Sequence, residues 1–122
     1  MTNPILVWSE VPVTDMDRAV GFYNRVFGWK MTVDTSSGPN PMAVFGGDME
    51  AIGGHLYPGK PANGNGPTVH LAVPDKLEDA ADRCWAAGGA IKGEPVEIPY
   101  GRFLYASDPD GNSIGLFEPK EQ

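Results

Sequence analysis

An internal repeat with a period of about 60 residues constrains the fold of this chain more than any other feature, because repeated supersecondary units pack against each other. Val11-Pro-Val-Thr-Asp15 leads into a helix-like run that ends at Gly28, and Leu71-Ala-Val-Pro-Asp75 leads into a second run that ends at Gly88. The separation from Asp to Gly is the same in both copies. We therefore predict two matched modules.

Each copy contains one amphipathic helix, because apolar residues recur at three- and four-residue spacing. They are Met16, Ala19, Val20, Tyr23, Val26 and Phe27 in the first copy, and Leu77, Ala80, Ala81, Cys84 and Trp85 in the second. These apolar faces, Tyr23, Phe27, Cys84 and Trp85 included, are predicted to enter the core. Capping-box spacing predicts that the two helices begin just after Thr14 and Asp75.

Segments rich in β-forming residues flank both helices. The first copy is predicted to form strands at 5–13, 30–34, 42–45 and 51–57, and the second at 68–73, 90–98, 103–107 and 113–117. Asp108-Pro-Asp-Gly111 predicts a tight turn before the last strand. Each copy therefore has the order βαβββ.

The predicted fold class is α+β, with a single domain over residues 1–122. Module 1, about 4–57, and module 2, about 68–118, are joined by the Gly/Pro/Asn-rich linker 58–67. One helix covers only one face of each sheet, so the second module is needed to cover the rest. Two such sheets side by side form a curved, half-closed barrel around a cleft.

Charge and cysteine usage narrow the possible partners and compartment. The net charge of −7 argues against nucleic acid and against an anionic membrane surface, since both bind basic proteins. No apolar stretch approaches the ~20 residues of a membrane span. The single cysteine excludes an intramolecular disulfide, which suits the cytoplasm.

Several ordered motifs resemble one known family. They are Val11-Pro-Val-Thr-Asp15, Phe22-Tyr23…Val26-Phe27-Gly28-Trp29, Ala87-Gly88-Gly89, Tyr100-Gly-Arg-Phe103, Asp108-Pro-Asp-Gly-Asn112 and Ile114-Gly-Leu116. At this spacing, and over nearly the whole chain, they resemble the vicinal oxygen chelate superfamily of glyoxalases, bleomycin-resistance proteins and extradiol dioxygenases, and are most similar to its uncharacterised glyoxalase-like members. The resemblance implies a small-molecule ligand, a cleft inside the paired modules and a homodimer. In bleomycin-resistance relatives, the cleft lies across the dimer.

The resemblance also implies a divalent metal held by His, Glu or Gln from the first and last strands of each module. Carried over by position, these ligands fall on Trp8, Gly54, Thr68 and Gly115. Glycine has no side chain, indole does not bind metals, and threonine is a rare ligand of a catalytic divalent ion. We therefore expect no metal at the usual positions.

Glu10 and His70 are the candidate catalytic residues, because they are equivalent under the repeat and each lies two positions beyond a lost ligand position. Strand side chains alternate with period two, so both should face the cleft. There they could act as general base and acid, or hydrogen-bond each other or water in a structural role.

A displaced metal site is a further hypothesis. His55 follows Gly54, and a bulge or register shift could turn it inward to join Glu10 and His70. Two His and one carboxylate form the ligand set of many iron sites. Without such a shift, His55 is expected to face the helix side or solvent.

The candidate ligand-binding residues are Trp8, Phe45, Tyr100, Arg102 and Tyr105. The three hydrophobic aromatics Trp8, Phe45 and Tyr105 could form apolar walls or pack in the core. The resemblance places the segment of Tyr100 and Arg102 near the cleft mouth. Arg102 could meet an anionic or carbonyl group, or pair with a nearby acid.

Two functions of different classes follow. One is an enzyme of lyase, isomerase or dioxygenase type that acts on a small oxygenated metabolite through Glu10 and His70. The other is a metal-free protein that binds a small molecule or antibiotic, as resistance proteins do. A subunit whose role lies in its interfaces is a third hypothesis. The sequence favours a small-molecule protein of unassigned reaction and does not choose between an altered enzyme and a binder.

Overall fold

A computed structural model of the chain describes residues 8–36, 40–48 and 53–120. The first module comprises β1 (Trp8–Val13), α1 (Met16–Phe27), β2 (Ala43–Val44) and β3 (Gly53–Pro58). The second comprises β4 (Val69–Ala72), α2 (Leu77–Ala86), β5 (Ala90–Ile98), β6 (Gly101–Ser107) and β7 (Ser113–Pro119). Positions 5–7 and 51–52 of the predicted strands lie outside the described residues. Neither of the described helices is long and apolar enough to cross a membrane.

The two modules share one topology. β1 runs parallel to β3, which pairs antiparallel with β2, and β4 runs parallel to β7, which continues through β6 to β5. Among the described residues the two sheets do not pair with each other, and their strand orders are β1-β3-β2 and β4-β7-β6-β5. The predicted α+β fold of two modules with an incompletely closed sheet is confirmed, but among the described residues only the second module has the full βαβββ order, and the first has βαββ.

A single apolar core lies between the sheets and the two helices, which pack against each other. Val11 and Val13 face this core from β1, and Leu56 faces it from β3. Alternation along the strands therefore sends Trp8, Glu10 and His55 to the opposite face. In the second sheet, Leu104 and Leu116 face the core, and His70 and Tyr105 lie on the other side.

Most of the predicted strand 30–34 is not formed. Only Asp34 makes a bridge, to Met42. The side-chain amide of Asn24 binds both backbone groups of Met31: Met31 N–H donates to Asn24 Oδ1 at 2.8 Å, and Asn24 Nδ2 donates to Met31 O at 3.1 Å. Asn24, near the end of α1, therefore satisfies the backbone N–H and C=O of Met31, which a strand would need for its ladder hydrogen bonds.

Both helix starts differ from the capping-box prediction by one residue. α1 is capped by Asp15, whose carboxylate accepts from Arg18 N–H at 3.1 Å. α2 begins at Leu77, whose N–H donates to Glu118 Oε1 of β7 at 2.8 Å. Asp75 instead pairs with Arg83. The long-range carboxylate of Glu118 was not visible as a cap in the local sequence.

The core predictions hold for three of the four residues named. Tyr23, Phe27 and Cys84 are buried, but Trp85 is 72% exposed, which contradicts its prediction. Trp85 lies directly after Cys84, on the outer side of α2. Burial raises the pKa of the Cys84 thiol to about 11, so this thiol is protonated and inert at neutral pH.

The loop 108–112 fastens the two modules together. Buried Asp108 accepts from Tyr23 Oη at 2.8 Å and from the backbone N–H groups of Asp110 and Asn112 at 2.9 Å each. Asn112 Nδ2 donates to Pro12 O at 2.8 Å, across to the first module. The sequence predicted this segment only as a tight turn. In the described part of the chain it is also the main polar link between the modules.

Candidate functional site

A cleft with a volume of about 740 Å³ lies between the first strands of the two modules. From the first module it is lined by Trp8, Ser9, Trp29, Phe45, Gly46 and Gly53. From the second it is lined by the continuous segment Pro67, Thr68, Val69, His70, Leu71 and Ala72. This volume falls within the range of small-molecule sites, ~300–1,000 Å³.

The cleft wall is apolar and carries no Asp, Glu, Lys or Arg among its described residues. Trp29 and Phe45 form its aromatic floor, with ring centroids 5.6 Å apart. Both are held from behind by Tyr23, and Trp29 also stacks on Phe27 at 4.8 Å. These walls are therefore rigid and suited to a neutral, flat surface.

Trp8 is fixed by a hydrogen bond on the opposite side of the sheet from the core. Its Nε1–H donates to Nδ1 of His55 at 2.8 Å, and the two rings lie 5.8 Å apart. Because Nδ1 accepts, the proton of a neutral His55 is on Nε2. The bond occupies the lone pair that His55 Nδ1 would need to bind a metal.

The register corrects two sequence predictions about β3. His55 pairs with Glu10 and shares the face of Trp8 with no bulge or shift, so of the two orientations expected without a shift, the one toward the helix is wrong and the one toward solvent is compatible with its partial exposure. Gly54 points the other way and is buried, where an added Cβ would collide with Ser9 O. The separation between Glu10 and His70 is the same as the separation between His55 and Gly115. The residue of the first module that corresponds to Gly115 is therefore His55 and not Gly54.

His70 occupies the space that Gly115 leaves open. The two residues are neighbours in the β4–β7 register, and a Cβ on Gly115 would overlap the His70 ring. Phe103, Tyr105 and Phe117 lie against one side of that ring, with centroids 4.9, 5.9 and 6.4 Å away, and the rest of His70 is exposed. This partial burial lowers the pKa of His70 below its ordinary 6.5, which leaves the imidazole neutral at pH 7.

The Gly115→Ala substitution should raise the pKa of His70 toward 6.5, because the new methyl group expels the ring into water. In the wild type the unfolded chain binds more protons than the folded chain between the two pKa values, so stability increases with pH through that window up to about 6.5. The measurement is an NMR titration of the imidazole signals, assigned with His70→Gln. An unchanged midpoint in Gly115→Ala would show that the ring does not lie over Gly115.

The structure does not join Glu10 to His70. Both lie on the sheet faces opposite the core, yet only His70 lines the cleft, and no hydrogen bond connects them among the described residues. Glu10 is exposed beside His55. A concerted acid–base pair is therefore not assembled in this arrangement.

The residues present do not fit the divalent metal implied by the family resemblance. Trp8 and His55 bind each other, the hydroxyls of Thr68 and Ser113 lie 2.5 Å apart, and Gly115 is covered by His70. Within residues 8–36, 40–48 and 53–120, no three His, Cys, Asp or Glu side chains are grouped closely enough to hold an ion. The displaced set of Glu10, His55 and His70 is thus not brought together.

The other predicted ligand-binding residues have different surroundings. Arg102 is held by Glu78 and Glu118, with its guanidinium nitrogens 2.6–3.0 Å from their carboxylate oxygens. Tyr100 is 79% exposed at the β5–β6 turn, and Tyr105 is beside His70 but outside the cleft lining. Of the five residues predicted, Trp8 and Phe45 line the cleft.

Sequence reasoning missed Trp29, Val69 and Leu71 as cleft residues. Trp29 follows the left-handed Gly28, which ends α1 with φ +73° and directs the chain back over the core. An aromatic residue directly after a helix-ending glycine was the available signal. For Val69 and Leu71 the sequence contained no signal of a place in the cleft, since their alternation along the strand predicts only burial.

A profile of the Glyoxalase/Bleomycin resistance protein/Dioxygenase superfamily matches residues 5–116 of the chain. A Mycobacterium bovis protein named "Putative glyoxylase CFP32" is 35% identical over 119 residues, which are 96% of this chain and 45% of that protein. The chain thus spans about half the length of the curated relatives it matches.

Two solved structures show the same fold. TnmS3 from Streptomyces sp. CB03234, described as an antibiotic binding protein, aligns with a TM-score of 0.66 at 27% identity and covers 98% of this chain and 99% of its own. A glyoxalase/bleomycin resistance protein from Albidiferax ferrireducens T118 aligns with a TM-score of 0.70 at 20% identity, over 96% of this chain and 100% of its own.

Proposed function

The chain belongs to the Glyoxalase/Bleomycin resistance protein/Dioxygenase superfamily, and we propose that within it this protein binds an uncharged, largely aromatic organic molecule in the cleft between β1 and β4. The observation that carries this proposal is the cleft wall itself. Three aromatic side chains, Trp8, Trp29 and Phe45, line it, and no charged side chain does among the described residues. A buried charge on the ligand would have no partner there, which is costly.

The relatives support binding as the function. TnmS3, 27% identical, is described as an antibiotic binding protein. A resistance-type role, in which an apolar drug is sequestered, needs no metal and no paired acid and base. It therefore accommodates both the Trp8–His55 bond and the separation of Glu10 from the cleft.

A panel of naphthalene compounds that differ only in charge tests the proposal. Neutral acetylnaphthalene should bind at least about tenfold more tightly than anionic naphthoate or cationic naphthylmethylammonium, since each tenfold step is ~1.4 kcal/mol and an unpaired buried charge costs more than that. Quenching of tryptophan fluorescence measures the dissociation constants. Equal or tighter binding of either charged compound would contradict an uncharged ligand.

An enzyme is the second candidate, favoured by the placement of His70. His70 is a lining residue of the cleft, and partial burial lowers the pKa of its imidazole, which is therefore neutral and able to accept a proton at pH 7. Glu10 would then act only after a rearrangement of β1.

Recovery of the bound ligand after incubation distinguishes the enzyme from the binding protein. Conversion that is lost in His70→Gln favours the enzyme, and unchanged ligand favours the binder.

We also propose that the protein is a homodimer in the cytoplasm, where its single cysteine, Cys84, stays reduced. The second sheet exposes Val96, Ile98 and Tyr105, each at least 38% accessible, on the face opposite α2. These exposed apolar side chains, which share the face with Lys92, suit a second copy of the chain.

Val96→Lys should convert the dimer to a monomer in sedimentation-velocity experiments, because it replaces an exposed apolar side chain of this face with a charge. Glu97→Lys is the matched control, since Glu97 is the next residue on β5 and points to the opposite side of the sheet. Glu97→Lys should remain dimeric. A monomeric wild type, or a dimeric Val96→Lys, would refute this interface.

A further inference from the structure

The edge of β4 presents to the cleft backbone groups that have no strand partner within residues 8–36, 40–48 and 53–120. Val73 N–H donates to Phe117 O at 2.7 Å, which fixes the direction of the backbone groups along the β4–β7 ladder. Odd-numbered residues of β4 bond to β7. The N–H and C=O groups of His70 and Ala72 therefore point away from β7, because alternate residues of an edge strand face outward.

The directions of the backbone N–H and C=O groups along β1 follow from the same kind of contact. Gly59 N–H donates to Val13 O at 3.0 Å, so the backbone groups of Val13 face β3, and those of Pro12 face outward. The bond from Asn112 Nδ2 to Pro12 O, which comes from the second module, agrees with this direction. The two edges thus lie on either side of the cleft, and in the described part of the chain neither sheet pairs with the other.

The edges differ at one matched position. Pro12 of β1 and Ala72 of β4 are equivalent under the internal repeat, and both point their backbone groups outward. Proline has no N–H, so the β1 edge cannot donate at that position, whereas the β4 edge can. The β4 edge therefore keeps two donors and two acceptors, from His70 and Ala72.

The cleft follows this edge along its length. Six consecutive residues, 67–72, line it. Side chains on both faces of a strand can border one cleft only if the cleft runs past the strand's edge. The outward backbone groups are consequently polar partners available to a ligand along a wall that has no charged side chain.

We propose, on the basis of the proposed function, that the ligand carries secondary amides in an extended arrangement and pairs with β4 as an added strand. Its amide groups would bond to the backbone of His70 and Ala72, which recur about 6.6–6.8 Å apart. Its aromatic group would contact Trp8 and Phe45 across the cleft. Strand addition supplies affinity without any charge on the ligand.

The experiment uses two ligands and two variants of the full chain. The ligands are the uncharged tripeptide N-acetyl-Phe-Ala-Phe amide and the same peptide with its backbone nitrogens methylated. Ala72→Pro removes one outward donor without removing a ladder bond, and Pro12 shows that the fold accepts proline at the matched position. Ala72→Val has similar bulk and keeps the donor, so it is the control.

The wild type and Ala72→Val should bind the parent peptide, and Ala72→Pro should bind it at least about fivefold more weakly because one backbone hydrogen bond is lost. The methylated peptide should bind the wild type at least as weakly. Acetylnaphthalene, which has no amide, should bind all three proteins equally. Equal binding of the parent peptide by Ala72→Val and Ala72→Pro, or equal binding of both peptides by the wild type, overturns the inference.

The comparison of ligands on the wild type tests the strand-addition inference even if Ala72→Pro fails to fold. Binding of acetylnaphthalene without binding of the tripeptide would refute the strand-addition inference and leave the uncharged cleft intact. Failure of every neutral compound to bind would instead refute the proposed function. The two failures are therefore distinguishable.

Discussion

The Asp108→Ala substitution is expected to lower the free energy of unfolding by about 4 kcal/mol, because it leaves several buried donors without an acceptor. Asp108 is 3% exposed, and its two oxygens accept four hydrogen bonds. One donor is the Tyr23 hydroxyl, and two belong to Asn112.

The loss should be large because the network joins the modules. Asn112 also donates to Pro12 O in the first module, and its orientation depends on Asp108. Burial, together with the neighbouring Asp108 charge, raises the pKa of Tyr23 well above its ordinary value, so its hydroxyl stays protonated and donates to the carboxylate. Removal of Asp108 therefore affects contacts of both modules.

Urea unfolding followed by circular dichroism measures this effect. Asp108→Asn keeps one acceptor oxygen and should cost about half as much as Asp108→Ala. Asp82→Ala is the control, since Asp82 is exposed on α2 and should change stability by about 0.5 kcal/mol or less. A loss below about 1 kcal/mol for Asp108→Ala would mean that this network is not what holds the modules together.

Trp8→Ala is expected to weaken the binding of acetylnaphthalene about 30-fold, which corresponds to about 2 kcal/mol for an aromatic anchor. Trp8 lines the cleft, and its bond to His55 fixes the indole in place. Trp8→Phe keeps an aromatic wall but loses the hydrogen bond, so its affinity should fall between those of the wild type and Trp8→Ala.

Trp85→Ala is the matched control for Trp8→Ala. Trp85 is 72% exposed on α2 and does not line the cleft. Its removal should leave the dissociation constant unchanged, as measured by fluorescence titration through Trp29. Circular dichroism confirms that each variant is folded. Equal affinities of Trp8→Ala and the wild type would place the ligand outside the cleft.

The fold could be predicted from the sequence because local and repeated signals agreed. Helical spacing, turn residues and the constant offset between the two copies all indicated the same βαβββ order. The failures arose from long-range polar contacts. Asn24 takes the backbone groups of Met31 out of the predicted strand 30–34, and Glu118 caps Leu77 from a distant strand.

The site was predicted less completely, for reasons of geometry. The period-two rule placed Glu10 and His70 on the expected strand faces, but it could not reveal that the cleft runs past His70 and leaves Glu10 aside. From the sequence, the metal-ligand position falls on Gly54, one residue away from the position that the register gives. Because successive strand residues point to opposite faces, this error of one residue also predicted the wrong face for His55. The Trp8–His55 bond joins two strands that are distant in the sequence, and no local pattern indicates it.

The most direct measurement of the central claim is the nitrogen–proton NMR spectrum of the protein during titration with acetylnaphthalene. The chain has three indole N–H signals, from Trp8, Trp29 and Trp85. A ligand in the cleft between β1 and β4 should shift the signals of Trp8 and Trp29 and the backbone amides of His70 and Ala72, with Trp85 unmoved. Shifts confined to other residues, with Trp8, Trp29 and the amides of His70 and Ala72 unmoved, would contradict it.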